Sequence, residues 1–560
     1  MRHIVRGVGA AVLAVCLGAS VAACGTTGDG VGTGPRAVEA GGVLLAADAD
    51  GSGVETTRLL LESAPVVVVA APDRAAQARA ASVAVGLRAP MLTAVPGAGK
   101  VLAEEVARLG AERVLRVGGA DFGYDGEVVE SPTDRRSLEE LTGITFHSEL
   151  EVPADRIDDV TVHQTPGGPA LLTVADPGAG GRDADAAGGG GPDSSGAGPS
   201  GADAVASDEA EPFVPGAPAW DGDGAPSVLV HDRTPVASIA TAVAAGAEVS
   251  HLRAPDPRVD GGSVEAVRGA DAVYGLGPGW GSQEEFDDRV EKARTVPELP
   301  GGGQLVFPGR RFVAAYGSPI TPVLGILGEQ GPAESVERVR ALVEQYQPFS
   351  PEPVIPAFEI IGTVAAGGPG ADGNFTNEWP PEVFEPMVDA ITGAGGYAVI
   401  DLQPGMADMV DQAKIFEDML RRPGVGLALD PEWKLEPGQR PGAQIGSVDA
   451  EEINRVIHWL ADLTRDSGGP QKLLILHQFS LAMISNREDI DTSRPEVAIA
   501  LHADGHGTPD LKMETWDVLR AGLSPDIRMA WKNFYDEDTP TFTPEQTMAV
   551  TPRPWFVSYQ

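Results

Sequence analysis

Eight short apolar segments recur through the last part of this chain, and their spacing leaves few ways to fold. They lie at 312–316, 354–361, 397–402, 426–430, 473–477, 497–501, 527–531 and 555–558. Amphipathic patterns at 333–346, 382–391, 408–420, 448–463 and 511–519 fall between them, while the connections after the fifth and seventh segments lack a clear long helix. Eight strands alternating with helices over about 250 residues is the length and period of a TIM-type (β/α)8 barrel, here spanning 304–560.

In such a barrel the chemistry sits at the C-terminal strand ends, so the residues there are the test. They are unusually polar. The first segment ends at Tyr316, the second carries Glu359, the third ends at Asp401 and the fourth at Asp430-Pro431-Glu432. The fifth ends at His477-Gln478, the sixth at His502-Ala503-Asp504, the seventh at Lys532-Asn533 and the eighth at Tyr559. Unpaired buried charge costs several kcal/mol, so this many titratable groups at one end predicts a site.

Asp430 and Glu432 are two apart, which on a continuing strand points both toward the barrel mouth. Such a pair drives its proton affinities apart and yields one donor and one anion, as glycoside hydrolysis needs. The Leu429-Asp430-Pro431-Glu432-Trp433 segment resembles the Asp-x-Glu strand end of lysozyme-like barrel glycosidases. The resemblance implies Glu432 as general acid, with Asp430 or Asp401 stabilising positive charge or positioning water, and Trp433 as a sugar-stacking face. Glu359, His477, Gln478, His502, Asp504, Lys532 and Tyr316 are then the cleft-lining, substrate-binding candidates.

Two other chemistries are weighed and set aside. His502-Ala503-Asp504-Gly505-His506, with His477, offers donors that zinc accepts, but Gly505 and Gly507 make the run equally a flexible loop. The histidines are read as substrate hydrogen bonders, and no metal or cofactor is assigned. Gly275-Leu276-Gly277-Pro278-Gly279 suggests a phosphate loop, yet Pro278 removes a donor where one is needed. No Gly-x-Ser-x-Gly elbow is present, which disfavours acyl transfer.

The first 24 residues carry a different kind of signal. Arg2 and Arg6 precede an apolar stretch at 8–21, and Val21-Ala22-Ala23-Cys24 closes it with small residues before a cysteine. This resembles the lipobox of bacterial lipoproteins, and it implies a cleaved signal at 1–23 and a lipid-modified Cys24 holding the chain to the outer face of the cytoplasmic membrane. The stretch 24–57 is then expected to be a tether, Gly/Thr-rich at 25–34. Ala, Gly and Arg usage is similar to that of actinobacterial proteins.

Between anchor and barrel, 66–69, 90–93 and 113–117 read as strands separated by helices at 73–86 and 101–109. The run 65–119 resembles the cell-wall-binding repeat 2 module, which implies a small α/β unit associated with wall polymers. The expected layout is a repeat-like α/β region at 58–175, a disordered acidic Gly/Ala-rich insert at 176–226, and a second α/β unit at 227–300. Asp and Glu outnumber Lys and Arg by 81 to 41, a formal charge of -40 that disfavours nucleic acid as a partner. The reading is a membrane-anchored lipoprotein acting on cell-wall or extracellular polysaccharide, with a non-catalytic binding or scaffold lipoprotein as the alternative.

Overall fold

A computed structural model describes residues 33–174, 210–222 and 224–560. The signal segment, Cys24 and most of the acidic insert lie outside these residues. Among the described residues no helix is long and apolar enough to cross a membrane.

The C-terminal part is a closed barrel of eight parallel strands: Arg311–Gly317, Val354–Ala365, Tyr397–Leu402, Val425–Leu429, Lys472–Gln478, Val497–Ala503, Arg528–Asn533 and Phe556–Tyr559. The first strand pairs with both the second and the eighth, which closes the ring. A short antiparallel strand, Thr376–Glu378, extends the second. Helices follow most strands; the fifth and seventh connections instead use 3-10 turns and the six-residue helix Pro544–Ala549.

Strand alternation sorts the barrel into two cores. Outward residues such as Phe358, Ile400, Leu427, Leu476 and Trp531 pack beneath the helices. Inward residues Phe312, Ala357, Val399, Ala428, Ile475, Ala500, Ala530 and Phe556 fill the interior. Gly426 is part of that fit, since a Cβ there would sit 2.5 Å from the Leu473 carbonyl and 3.0 Å from the Tyr397 ring. The preceding segment closes the barrel bottom, where Leu299, Val306 and Phe307 join the interior core and the buried Arg310 guanidinium donates to the carbonyls of Pro300, Gly302 and Leu305.

The N-terminal part corrects three expectations. Two four-stranded parallel sheets are present, one ordered Met91–Thr93, Val66–Ala70, Arg113–Val117, Glu127–Glu130, the other Glu248–Leu252, Ser227–His231, Val273–Leu276, Val43–Ala46. They are not two separate units, because the helices Arg74–Leu87 and Val236–Ala245 pack together in one shared core. Alanine-rich faces permit that close approach, and Thr241 Oγ1 exchanges hydrogen bonds of 3.0 and 3.2 Å with the backbone of Met91. The second correction is the tether: Val43–Ala46 is an edge strand of the second sheet, paired with Val273–Leu276, and Val54–Leu60 is a helix packed against Val236–Ala245, so both gain partners far along the chain. The third is the end of the insert, where Phe213 is buried, lies under the Arg113 guanidinium at 4.0 Å, and donates its amide to the Leu141 carbonyl at 2.6 Å.

Candidate functional site

The strand alternation that fills the barrel interior also builds the site. One step above the apolar layer, the inward position of every strand is polar: Tyr316, Glu359, Asp401, Asp430, His477, His502, Lys532 and Ser558, each less than 4% exposed. The opposite parity places Gln478, Asn533 and Tyr559 away from this layer. Tyr559 shares a 2.7 Å hydrogen bond with Tyr346, and Asn533 Nδ2 reaches the same hydroxyl at 3.4 Å. Gln478 braces the loop after the fifth strand, donating to the Ser480 carbonyl and accepting from Arg487. The eighth strand therefore contributes Ser558, which motif reading passes over because a lone serine carries no signal.

A cavity of about 490 Å³ opens above this layer. Of the residues singled out in the sequence, Tyr316, Asp430, Glu432, Trp433, Asp504 and Lys532 line it. Phe479, Phe534, Gln403 and Glu514 line it too and were not foreseen. Phe534 had a legible clue in its place just past a polar strand end, whereas Glu514 comes from a helix. Glu359, Asp401, His477 and His502 do not line the cavity and form its underlayer.

The fourth strand departs from expectation. It stops at Leu429, and Pro431–Trp433 forms a 3-10 turn, so Asp430 and Glu432 are not alternate positions of one strand. Pro431 has no N–H for a ladder, and the chain turns with the Trp433 and Lys434 amides donating to the carbonyls of Asp430 and Pro431. Both carboxyls still face the cavity.

The buried charges are paired in alternation. Glu359 Oε1 lies 2.9 Å from His477 Nε2, and His477 Nδ1 lies 2.8 Å from Asp504 Oδ2. Lys532 Nζ lies 3.0 Å from Asp504 Oδ1 and stands 3.8 Å from the centre of the Tyr316 ring. Tyr316 donates to Asp401 Oδ2 at 2.9 Å. Ser558 Oγ lies 3.1 Å from His502 Nε2.

This arrangement splits the carboxyls into two kinds. Burial, reinforced by the neighbouring Asp504 charge, pushes Glu432 up to about 7. Burial likewise lifts Asp401 to about 6 against the pull of His477, and lifts Asp430 well above the usual range. Burial also opposes ionisation of Asp504, but Lys532 and His477 outweigh it and hold that carboxylate below the usual range. His477 is raised well above an ordinary imidazole, because Glu359, Asp401 and Asp504 overcome its burial. Burial lowers His502 to about 4, so that ring is neutral. Below about pH 7 the site thus holds a proton on Glu432 beside a negative charge on Asp504 at the same cavity, the condition for paired acid and base chemistry.

Three residues have the donor types and convergence to hold a metal: one donor atom from each of Glu359, His477 and His502 lies within 4.8 Å of the others. His506, the loop histidine considered from sequence, instead packs its ring against Phe534 at 5.7 Å.

Fold and site together define a mixed α/β protein with a closed eight-stranded parallel barrel and a carboxylate-rich mouth. No protein-family model matches the chain, and no curated protein matches it. Among solved structures it is similar to Cwp6 from Clostridium difficile, with 13% identity over 60% of this chain and 67% of that one, at a TM-score of 0.30.

Proposed function

We propose that this protein is an envelope lipoprotein whose barrel hydrolyses glycosidic bonds in cell-wall or extracellular polysaccharide. Residues 1–23 direct export, Cys24 carries the lipid, the α/β regions at 58–175 and 227–300 hold wall polymer, and residues 304–560 perform the chemistry. The observation that carries the reading is Glu432 and Asp504 on one cavity with opposite proton affinities.

Glu432 gives its proton to the departing glycosidic oxygen. Asp504, kept ionised by Lys532 and His477, stabilises the positive charge that develops on the sugar ring or takes the proton of an attacking water. Asp504 suits this role better than Asp401 or Asp430, the partners expected from sequence: Asp401 is capped by Tyr316 beneath the cavity, and burial holds the Asp430 carboxyl well above the usual range. Trp433 makes no aromatic pair among the described residues and lines the cavity, so its face is free to stack on a sugar.

The test follows new reducing ends on isolated cell walls and soluble polysaccharides with the wild type, Glu432→Gln and Asp504→Asn. Release that both substitutions abolish supports the reading. Wall binding with no release from any substrate favours the non-catalytic binding lipoprotein instead.

A further inference from the structure

Beneath the cavity floor lies a set of groups that do not line the cavity and that the proposed hydrolysis gives no contact with substrate. Glu359, His477 and His502 come from the second, fifth and sixth strands, and all three side chains are fully buried. Glu359 Oε1 is 2.9 Å from His477 Nε2 and 3.8 Å from His502 Nδ1.

The outward nitrogen of each ring is already engaged. Asp504 Oδ2 holds His477 Nδ1 at 2.8 Å, and Ser558 Oγ holds His502 Nε2 at 3.1 Å. The inward nitrogens are left facing the same glutamate. A carboxylate behind one ligand histidine and a hydroxyl behind the other is the outer-shell pattern that fixes metal-bound imidazoles.

A proton on His477 accounts for only part of this geometry. It satisfies His477 Nε2 and Glu359 Oε1, yet His502 Nδ1 and Glu359 Oε2 are buried with no hydrogen-bond partner among the described residues. Asp401 Oδ1 is buried without a partner as well. His502 Nδ1, 3.8 Å from Glu359 Oε1, is the ring nitrogen of this converging set left without a partner, and a group that accepts lone pairs from it and from the glutamate would satisfy it.

We propose that Glu359, His477 and His502 bind one divalent transition-metal ion, zinc by donor chemistry, beneath the floor of the cavity. Two imidazoles and one carboxylate suit zinc, which takes nitrogen and oxygen donors at about 2.0–2.2 Å in near-tetrahedral geometry. Donors around such an ion stand roughly 3.3 Å apart by that geometry, and the separations of 2.9 and 3.8 Å bracket that distance. The ion takes the place of the proton between His477 and Glu359, which passes to solvent. Because none of the three ligands lines the cavity, the ion braces the polar layer from below.

The full chain, stripped with a chelator and exchanged into metal-free buffer, is titrated with zinc chloride by calorimetry while melting temperature and circular dichroism are followed. The expected result is one ion per chain and a zinc-dependent rise in melting temperature, both lost in His502→Ala and Glu359→Gln. Ser558→Ala, a small change that keeps all three ligands, is expected to weaken binding by about 10–100-fold. His458→Ala, which removes an exposed histidine paired with Asp491, leaves the one-ion binding unchanged. A folded wild type that binds no zinc overturns the proposal. So does full binding by His502→Ala, or, should that variant fail to fold, full affinity in Ser558→Ala. No glycan is used, so the outcome is independent of the hydrolase reading.

Discussion

Lys532 Nζ stands 3.0 Å from Asp504 Oδ1 at the base of the barrel mouth, with the two side chains only 3% and 10% exposed. The pair closes a chain of alternating charge that starts at Glu359 and passes through His477. Burying one of these groups alone is very unfavourable; burying them in alternation lets each compensate its neighbour.

Removing one partner strands the other. Lys532→Met is expected to lower unfolding free energy by about 3–5 kcal/mol, because it leaves a buried carboxylate without its ammonium. Adding Asp504→Asn in the same chain is expected to cost much less than the sum of the two single changes. Urea denaturation of the four proteins in the double-mutant cycle checks this.

In the proposed hydrolysis, loss of the proton donor is a kinetic effect. Glu432→Gln is expected to reduce reducing-end release by about 10²–10⁴-fold, the usual contribution of a general acid. In the wild type the acid must be protonated, and Glu432 titrates at about 7, so release falls as pH rises through that value. A pH–rate profile whose alkaline limb lies elsewhere removes Glu432 from the role.

The same carboxyl leaves a signature in stability that needs no substrate. Its folded proton affinity is raised, so the folded state holds a proton that the unfolded state has released. The stabilisation is complete below the unfolded carboxyl range, near pH 4.3, and is lost as pH rises toward about 7. Melting temperature is expected to decline over that window and to decline less in Glu432→Gln. Thermal scans of both proteins from pH 4 to 8 measure the difference.

In the N-terminal part, Asp48 ties the start of the chain to the shared core. Its buried carboxylate accepts from the Glu55 amide at 2.7 Å, from the Thr56 amide at 3.1 Å and from the Ser238 hydroxyl at 2.7 Å. Asp48→Ala leaves these buried donors unpaired and is expected to cost about 2–4 kcal/mol. A denaturation midpoint unchanged from wild type refutes that role.

Much of the barrel is legible in the chain because strand identity is local: β-branched and aliphatic runs of the right length alternate with amphipathic helices whatever surrounds them. The candidate acid and most cavity-lining residues are legible for the same reason, since they stand at the ends of those runs. Parity is less legible. Gln478, Asn533 and Tyr559 are as polar and as terminal as His477, Lys532 and Ser558, and the choice between them depends on which face of each strand the closed barrel turns inward. The break at Pro431 is a further local event that a strict two-residue alternation misreads.

The N-terminal part shows the converse. Residues 43–46 look like tether until a strand more than 200 positions away offers them an edge, and the run containing Phe213 looks disordered until a distant core offers it a pocket. By itself, the sequence determined the eight barrel strands, most of the helices between them and the reservoir of polar groups at one barrel end. Only the tertiary structure decided which of those groups meet, because charge pairing, desolvation and proton affinity act through space between residues on different strands.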